Sequence, residues 1–331
     1  MLTKVQIKNF RSFVEAEAEI SPFTLVLGAN GSGKSNFLKF FQATSQQNQE
    51  IAERSRHFTI LPTAQWRKHA LHGDSPAICS FDFSGRPQVV LEQRDITSEM
   101  IVISDSYPWM GEQLPIFNPL PEKISAAEPP EANPRVKGDG GGTCQVLDAL
   151  KTGDREDLFD KVEEHLVRYV PETVKLSLKT VGKAKQIQIR EKGFSSPLPA
   201  NELSEGTRLI LCLLTILYQE KPPSLVLLED IDRGLHPRLF ESVAPLIRRI
   251  AVDHDINVIA TTHNPYLVDH FQDDLAGVLL VEKSDGQSTI TSLAERVKGT
   301  SYGPGDAEAM PLGHLWYSGL VGGAPQLKVS R

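Results

Sequence analysis

The stretch 28-GANGSGKS-35 fits the spacing G-x-x-x-x-G-K-[ST] at every position. That spacing is the chemistry of a phosphate cradle. Gly28, Gly31 and Gly33 let the backbone curl until successive N–H groups converge on one anion. The helix beginning near Gly33 adds its positive N-terminal end. Lys34 is placed to reach the β- and γ-phosphates of a nucleotide, and the Ser35 hydroxyl to bind Mg2+. Asn30, Ser32 and Asn36 complete the candidate contacts along the loop. The bland reading is a chance glycine-rich turn. An apolar strand, 23-FTLVLG-28, precedes the loop and a helical pattern, 34-KSNFLKFFQA-43, follows it, which favours the cradle.

A second constellation closes the apolar run 225-LVLLED-230 with two adjacent carboxylates. Desolvated like charges repel, so Glu229 and Asp230 need compensating positive charge. A strand beside the cradle that ends in acids would find it in Mg2+. Glu229 is then the metal-side acid, and Asp230 orients or deprotonates an attacking water. The alternative is an acidic strand end capped by solvent. Asp232 and His236 do not make a convincing zinc site with Glu229, because such sites use closer-knit His and Cys ligands. His236-Pro237 reads instead as a helix start.

Strands and helices must position these groups. Val5 and Ile7 alternate with Gln6 and Lys8, as in a half-exposed strand. Further strands are expected at 77-AICSFDF-83, 88-QVVLEQ-93 and 100-MIVIS-104. From Asp105 to Gly142 seven prolines lead to 138-GDGGG-142, a long surface connection. Helical patterns cover about 144–169, and 173-TVKLSLKTV-181 with 185-KQIQIRE-191 suggests a hairpin. The chain then alternates: a helix over about 205–219 with Ser204 as N-cap, a strand at 224–229, a helix from about 237 to 252, a strand at 256–262, a short helix after Pro265, and a strand at 277–283. Such alternation predicts an α/β fold with a mostly parallel sheet flanked by helices.

The chain has 331 residues, 40% apolar and 23% charged, with net charge −7. This excludes a basic coat protein, so nucleic acid would have to meet a local patch. Cys79, Cys144 and Cys212 are widely spaced, as in a reduced cytosolic chain. The N-terminus lacks a signal-peptide core, and the longest apolar run, 209-LILCLLTILY-218, is too short for a bilayer. A cytoplasmic location without membrane association is expected.

Six segments carry a family resemblance. The segment 203-LSEGTRLILCLL-214 resembles the LSGGQ signature helix of ATP-binding-cassette ATPases, and 258-VIATTHNPYLVDHF-271 resembles their switch histidine. The order cradle, signature, acidic strand, switch is that of the family. The opening 5-VQIKNFRSF-13 and the segment 228-LEDIDRGLHP-237 are similar to the SMC/RecF/OLD-like branch. More narrowly, 139-DGGGTCQVLDAL-150 and 312-LGHLWYSGLVGG-323 are similar to the small stand-alone AAA-type ATPases, the AAA_21 group. The resemblance implies a P-loop NTPase of ABC-ATPase type, with an antiparallel β lobe and a Pro/Gly-rich insertion. It implies one ATPase domain over 1–331: an N-terminal lobe at 1–104, a linker, helical segment and hairpin at 105–200, and a C-terminal lobe at 201–331.

The resemblance also implies roles. ATP and Mg2+ are the cofactors. Ser204, Glu205 and Gly206 would meet the γ-phosphate of ATP held by another copy, so that ATP joins a homodimer. His263 would contact the γ-phosphate beside Lys34, and Arg11 would lie close to the nucleotide; the bland reading of Arg11 is a solvated strand end. Gln65 and Gln93 are candidates for the glutamine loop. Two departures stand out. The acids read Glu229-Asp230, with the shorter side chain in the water position, so slow hydrolysis is expected. Glu205 replaces a signature glycine. OLD relatives carry a Toprim nuclease, and 68 residues follow His263. A Toprim-like effector would therefore be a separate protein. The expected function is an ATP-dependent switch acting on such an effector in DNA repair or anti-phage defence. The alternatives are a RecF-like DNA-binding clamp, a non-hydrolysing nucleotide sensor, and a transporter's nucleotide-binding subunit. DNA would meet Lys179, Lys183, Lys185, Arg190 and Lys192 on the hairpin; the bland reading is an edge protected by lysines.

Overall fold

The computed structural model describes residues 1–45, 59–60, 77–85, 88–93, 100–102, 114–298 and 311–322. The chain forms two compact units. The first comprises Met1–Ile116, Pro223–Ile231 and Arg248–Arg331; the second comprises Phe117–Pro222 and Asp232–Ile247.

In the first unit, β1 (Leu2–Phe10), β2 (Phe13–Glu19), β4 (Thr59–Ile60), β5 (Ala77–Phe83), β6 (Val89–Gln93) and β7 (Met100–Val102) form an antiparallel sheet. Its order is β2-β1-β5-β6-β7-β4. Alternation sets the register: Val5 and Ile7 face inward opposite Ala18 and Ala16. On the other face Lys4 and Lys8 pair with Glu17 and Glu15 at 2.6 and 2.9 Å.

A second sheet of this unit contains β3 (Phe23–Leu27), β12 (Leu225–Leu228), β13 (Asn257–Thr262), β14 (Val278–Ser284) and β15 (Gln287–Ser292). The order is β15-β14-β3-β13-β12; all neighbours are parallel except the hairpin β14–β15. Every residue of β3, β12 and β13 is buried, which explains their mostly apolar sequences; the buried polar exceptions are Thr24, Asn257, Thr261 and Thr262. The acidic strand β12 does not pair with the cradle strand β3, as the sequence suggested. The strand that leads into His263, β13, lies between them.

Helix α1 (Lys34–Ser45) is fixed by an aromatic core. Phe40 meets Phe10 at 5.4 Å and Phe37 meets Phe41 at 5.2 Å, both edge to face. Each such pair adds about 0.5–1.5 kcal/mol to the gain from burial, so the helix start is held firmly. The same unit contains α7 (Leu293–Val297) and α8 (Leu312–Tyr317).

The second unit contains α2 (Pro121–Ile124), α3 (Thr143–Thr152), α4 (Glu156–Tyr169) and α5 (Glu205–Tyr218). β8 (Ile116–Phe117) marks the passage into it, and α6 (Pro237–Asp253) begins in it. β9 (Thr173–Val181) and β10 (Ala184–Glu191) form the expected hairpin, extended by β11 (Leu198–Pro199). Within the expected surface connection, residues 129–133 are exposed, while Phe117, Ile124 and Val136 are buried. The glycines of the connection allow this packing. Gly142, at φ 84°, lies so close to Arg135 that a Cβ would fall 2.3 Å from its carbonyl oxygen. Among the described residues no helix is long and apolar enough to cross a membrane.

Candidate nucleotide site

The register of the parallel strands brings three loops together. Leu27 of β3 pairs with Thr262 of β13, and Ala260 of β13 pairs with Leu228 of β12. The cradle, His263 and the twin acids therefore leave one edge of the sheet side by side, at the carboxyl ends where α/β sheets bind ligands. They line a cleft of about 310 Å³ with Asn30, Gly31, Gly33, Lys34, Ser35, Asn36, Glu229, Asp230, Thr261 and His263 in its wall.

The cradle requires its glycines. A Cβ on Gly28 would sit 2.3 Å from the Val281 carbonyl oxygen, and one on Gly33 would sit 2.5 Å from Ser288 Oγ. Lys34 is buried, and its Nζ donates to the carbonyls of Gly28 at 2.9 Å and Ala29 at 3.1 Å. Burial lowers its pKa to about 8 from 10.5, although Asp230 and Glu229 nearby pull it upward. Such an ammonium lacks the solvation that a phosphate could restore.

Ser35 Oγ donates to Glu229 Oε1 at 2.5 Å. The two are hard oxygen donors, side by side: Ser35 lies in the first turn of α1 and Glu229 just after β12. No group of three or more His, Cys, Asp or Glu able to hold a metal occurs among the described residues. A hydroxyl with one carboxylate fits Mg2+, which keeps waters and takes substrate phosphates as its remaining ligands.

Asp230 has φ 50°, a left-handed conformation that Asp tolerates better than most residues. Its N–H donates to Thr261 Oγ1 at 3.0 Å, and the next N–H, of Ile231, donates to the Thr261 carbonyl at 3.0 Å. This turn aims the short carboxylate toward His263, whose Nε2 is 3.9 Å from Asp230 Oδ1. On the other ring edge, His263 Nδ1 is 3.5 Å from Lys34 Nζ.

Ser32 and Arg11 stand apart from the cleft wall. The Ser32 side chain is buried behind the loop, so only its backbone is available to a ligand. Arg11, at φ 50°, lies over the Phe10 ring and donates to Asn36 Oδ1 at 3.3 Å. In the second unit, Ser204 caps α5 by accepting from Thr207 N at 3.1 Å. Glu205 is exposed, with its Cγ against Gly234, and Gly206 leaves no room for a Cβ, which would fall 2.8 Å from the Gly234 oxygen. Gln65 lies outside the described residues, and Gln93 closes β6.

Sequence reasoning missed Thr261, Ser12 and Ser288. Thr261 was part of the quoted switch strand, but nothing in its spacing marked its hydroxyl. Ser288 sits on β15, whose hairpin turn Asp285-Gly286 was a legible signal.

Residues 139–269 match the AAA_21 family, described as "AAA domain, putative AbiEii toxin, Type IV TA system". Residues 1–127 match the AAA_15 family, described as an AAA ATPase domain. The energy-coupling factor transporter ATP-binding protein EcfA2 of two Staphylococcus epidermidis strains is 24% identical over 148 residues, 43% of this chain. The chain spans about half, 51%, of the length of those curated relatives. Among solved structures, an SMC head bound to the C-terminal winged-helix domain of ScpA is 17% identical, with TM-score 0.59, over 90% of this chain and 99% of that one. An Smc head with an extended coiled coil, bound to the C-terminal domain of ScpA derived from Pyrococcus furiosus, is 15% identical, with TM-score 0.56, over 90% and 98%. The SMC head domain from Thermotoga maritima is 17% identical, with TM-score 0.50, over 88% and 98%.

Proposed function

We propose, for a chain that belongs with the ABC/SMC-like P-loop ATPases, that it binds ATP with Mg2+, hydrolyses it slowly, and works as one ATPase domain. The observation that carries this reading is the meeting of Lys34, Ser35, Glu229, Asp230 and His263 around one cleft. Lys34 and the N–H groups of Gly31 and Gly33 would bind the β- and γ-phosphates. Ser35 and Glu229 would hold Mg2+, which when bound neutralises phosphate charge. Asp230 would position a water and accept its proton, and His263 would contact the γ-phosphate. Asp230 is one methylene shorter than glutamate, which supports a slow rate.

The wider reading is a switch. Ser204, Glu205 and Gly206 at the start of α5 would engage ATP bound by a second copy, forming an ATP-dependent homodimer that regulates a separate effector, of which a Toprim-like nuclease is one candidate. The SMC heads of similar fold were solved bound to ScpA domains, which supports action through a partner. The match over 139–269 to a family whose description names a Type IV TA system supports a role in anti-phage defence, with DNA repair the other candidate.

A DNA-binding clamp is a second reading, favoured by one face of the hairpin. Lys175 lies directly opposite Arg190, and Lys179 opposite Gln186. Like charges in register destabilise a sheet. None of these three cations has an ion pair among the described residues. One assay tests both readings: phosphate release by the wild type and by Lys34→Ala, with and without duplex DNA. The first reading expects slow release abolished in Lys34→Ala and indifferent to DNA. Stimulation by DNA supports the clamp, and wild-type release no faster than that of Lys34→Ala sinks hydrolysis.

A further inference from the structure

A chain of side chains runs behind the cradle. Arg11 donates to Asn36 Oδ1 at 3.3 Å, and Asn36 Nδ2 donates to Ser12 Oγ at 2.9 Å. Ser12 Oγ lies 2.8 Å from Ser288 Oγ, which lies 2.5 Å from the Ser32 carbonyl oxygen. Backbone pairing fixes the same contact, since Ser288 N donates to Ser12 O at 2.7 Å. Ser12 and Ser288 are both buried.

The order of donors in this chain is determined. A carbonyl only accepts, and each hydroxyl has one proton. Ser288 therefore gives its proton to Ser32 O, Ser12 gives its proton to Ser288 Oγ, and Asn36 donates to Ser12. Every link points from the guanidinium of Arg11 toward the loop.

The end of the relay matters because a trans peptide points its C=O and N–H in opposite directions. The Ser32 carbonyl is drawn inward to Ser288, so the N–H of Gly33, in the same peptide plane, is turned away from Ser288. Gly33 itself lines the cleft. Gly33 has φ 121° and no side chain to resist a rotation of this peptide, so the loop's own residues do not fix its orientation.

We infer that Ser288 is a positioning residue for the nucleotide: it holds the Ser32–Gly33 peptide so that the Gly33 N–H faces the phosphate position, and Ser12 and Asn36 hold Ser288 in turn. The inference rests on the nucleotide reading given above and adds a part played by a strand remote in sequence.

The test is equilibrium binding of MgATP and of adenosine to the wild type, Ser288→Ala and Ser12→Ala, with thermal unfolding of each protein without nucleotide. Loss of the donor to a buried carbonyl is expected to weaken MgATP binding about tenfold in Ser288→Ala. Ser12→Ala should act in the same direction, with adenosine affinity unchanged and the unfolding midpoint lowered by only the few degrees that a lost buried hydrogen bond costs. Ser288→Thr keeps the donor, and recovery of MgATP affinity in it would support the role. MgATP affinity equal to wild type in Ser288→Ala overturns the inference, as does a loss shared equally by adenosine. If Ser288→Ala does not fold, Ser12→Ala decides by the same comparison. Failure of the wild type to bind MgATP would instead sink the nucleotide reading, and this inference with it.

Discussion

Lys34 is an ammonium enclosed by the loop it serves, and its partners are two carbonyl oxygens. Its pKa, lowered to about 8 by burial against 10.5 for a free side chain, has two consequences. Between these values the unfolded chain binds more protons than the folded one, so the nucleotide-free protein should gain stability as pH rises through that window. Phosphate favours the charged form, so MgATP affinity should fall as pH rises above about 8. Titrations of both from about pH 7 to about pH 10 check this; affinity that is flat across the range would contradict a role for Lys34 as a phosphate ligand. The cradle, the twin acids and His263 were legible because their chemistry demands fixed types at fixed spacings. Thr261, Ser12 and Ser288 were not. A hydroxyl acting on a backbone group leaves no pattern, and its partner lies far along the chain: Ser288 and Ser32 are 256 positions apart.

At the level of elements, α5 shows one residue serving two ends. Ser204 caps the helix, and removing such a cap typically costs about 1 kcal/mol. Ser204→Ala should therefore lower the unfolding midpoint by about 2 °C. If the start of α5 also engages a second copy, MgATP binding by the monomer should persist while ATP-driven association is lost. Association by light scattering at wild-type strength would leave Ser204 a cap alone. The helix itself was legible, from its N-cap to its apolar run. So was each strand of the parallel sheet, because burial on both faces favours a mostly apolar sequence. The order of those strands was not: nothing local to β12 says that β13 lies between it and β3. Residues 117–142 were legible as a connection, but their buried anchors Phe117, Ile124 and Val136 were not. Proline and glycine report that regular structure stops, and they are silent on whether the loop that results is buried.

For the whole molecule, the proposed switch makes oligomeric state the decisive measurement. Asp230→Asn removes the base while leaving Lys34, Ser35 and Glu229 in place, so it should hold ATP unhydrolysed and accumulate as a dimer. Light scattering of this variant with ATP, without it, and with ADP checks the expectation. A monomer saturated with ATP would refute the dimer and leave nucleotide binding intact. Composition and element order sufficed to read an α/β nucleotide-binding fold, because that pattern has few compact solutions. The way the chain is shared between two units was not readable, since the first unit is assembled from three separate stretches.

That interleaving has a consequence for biosynthesis. The phosphate loop leaves the ribosome early, yet the histidine strand, the acidic strand and the β14–β15 hairpin behind the loop all come from beyond Pro223. A nascent chain therefore displays the motif long before it can grip a ligand with it. On the proposed reading, nucleotide capture would await translation of the histidine strand and of Ser288, and shorter products would not bind.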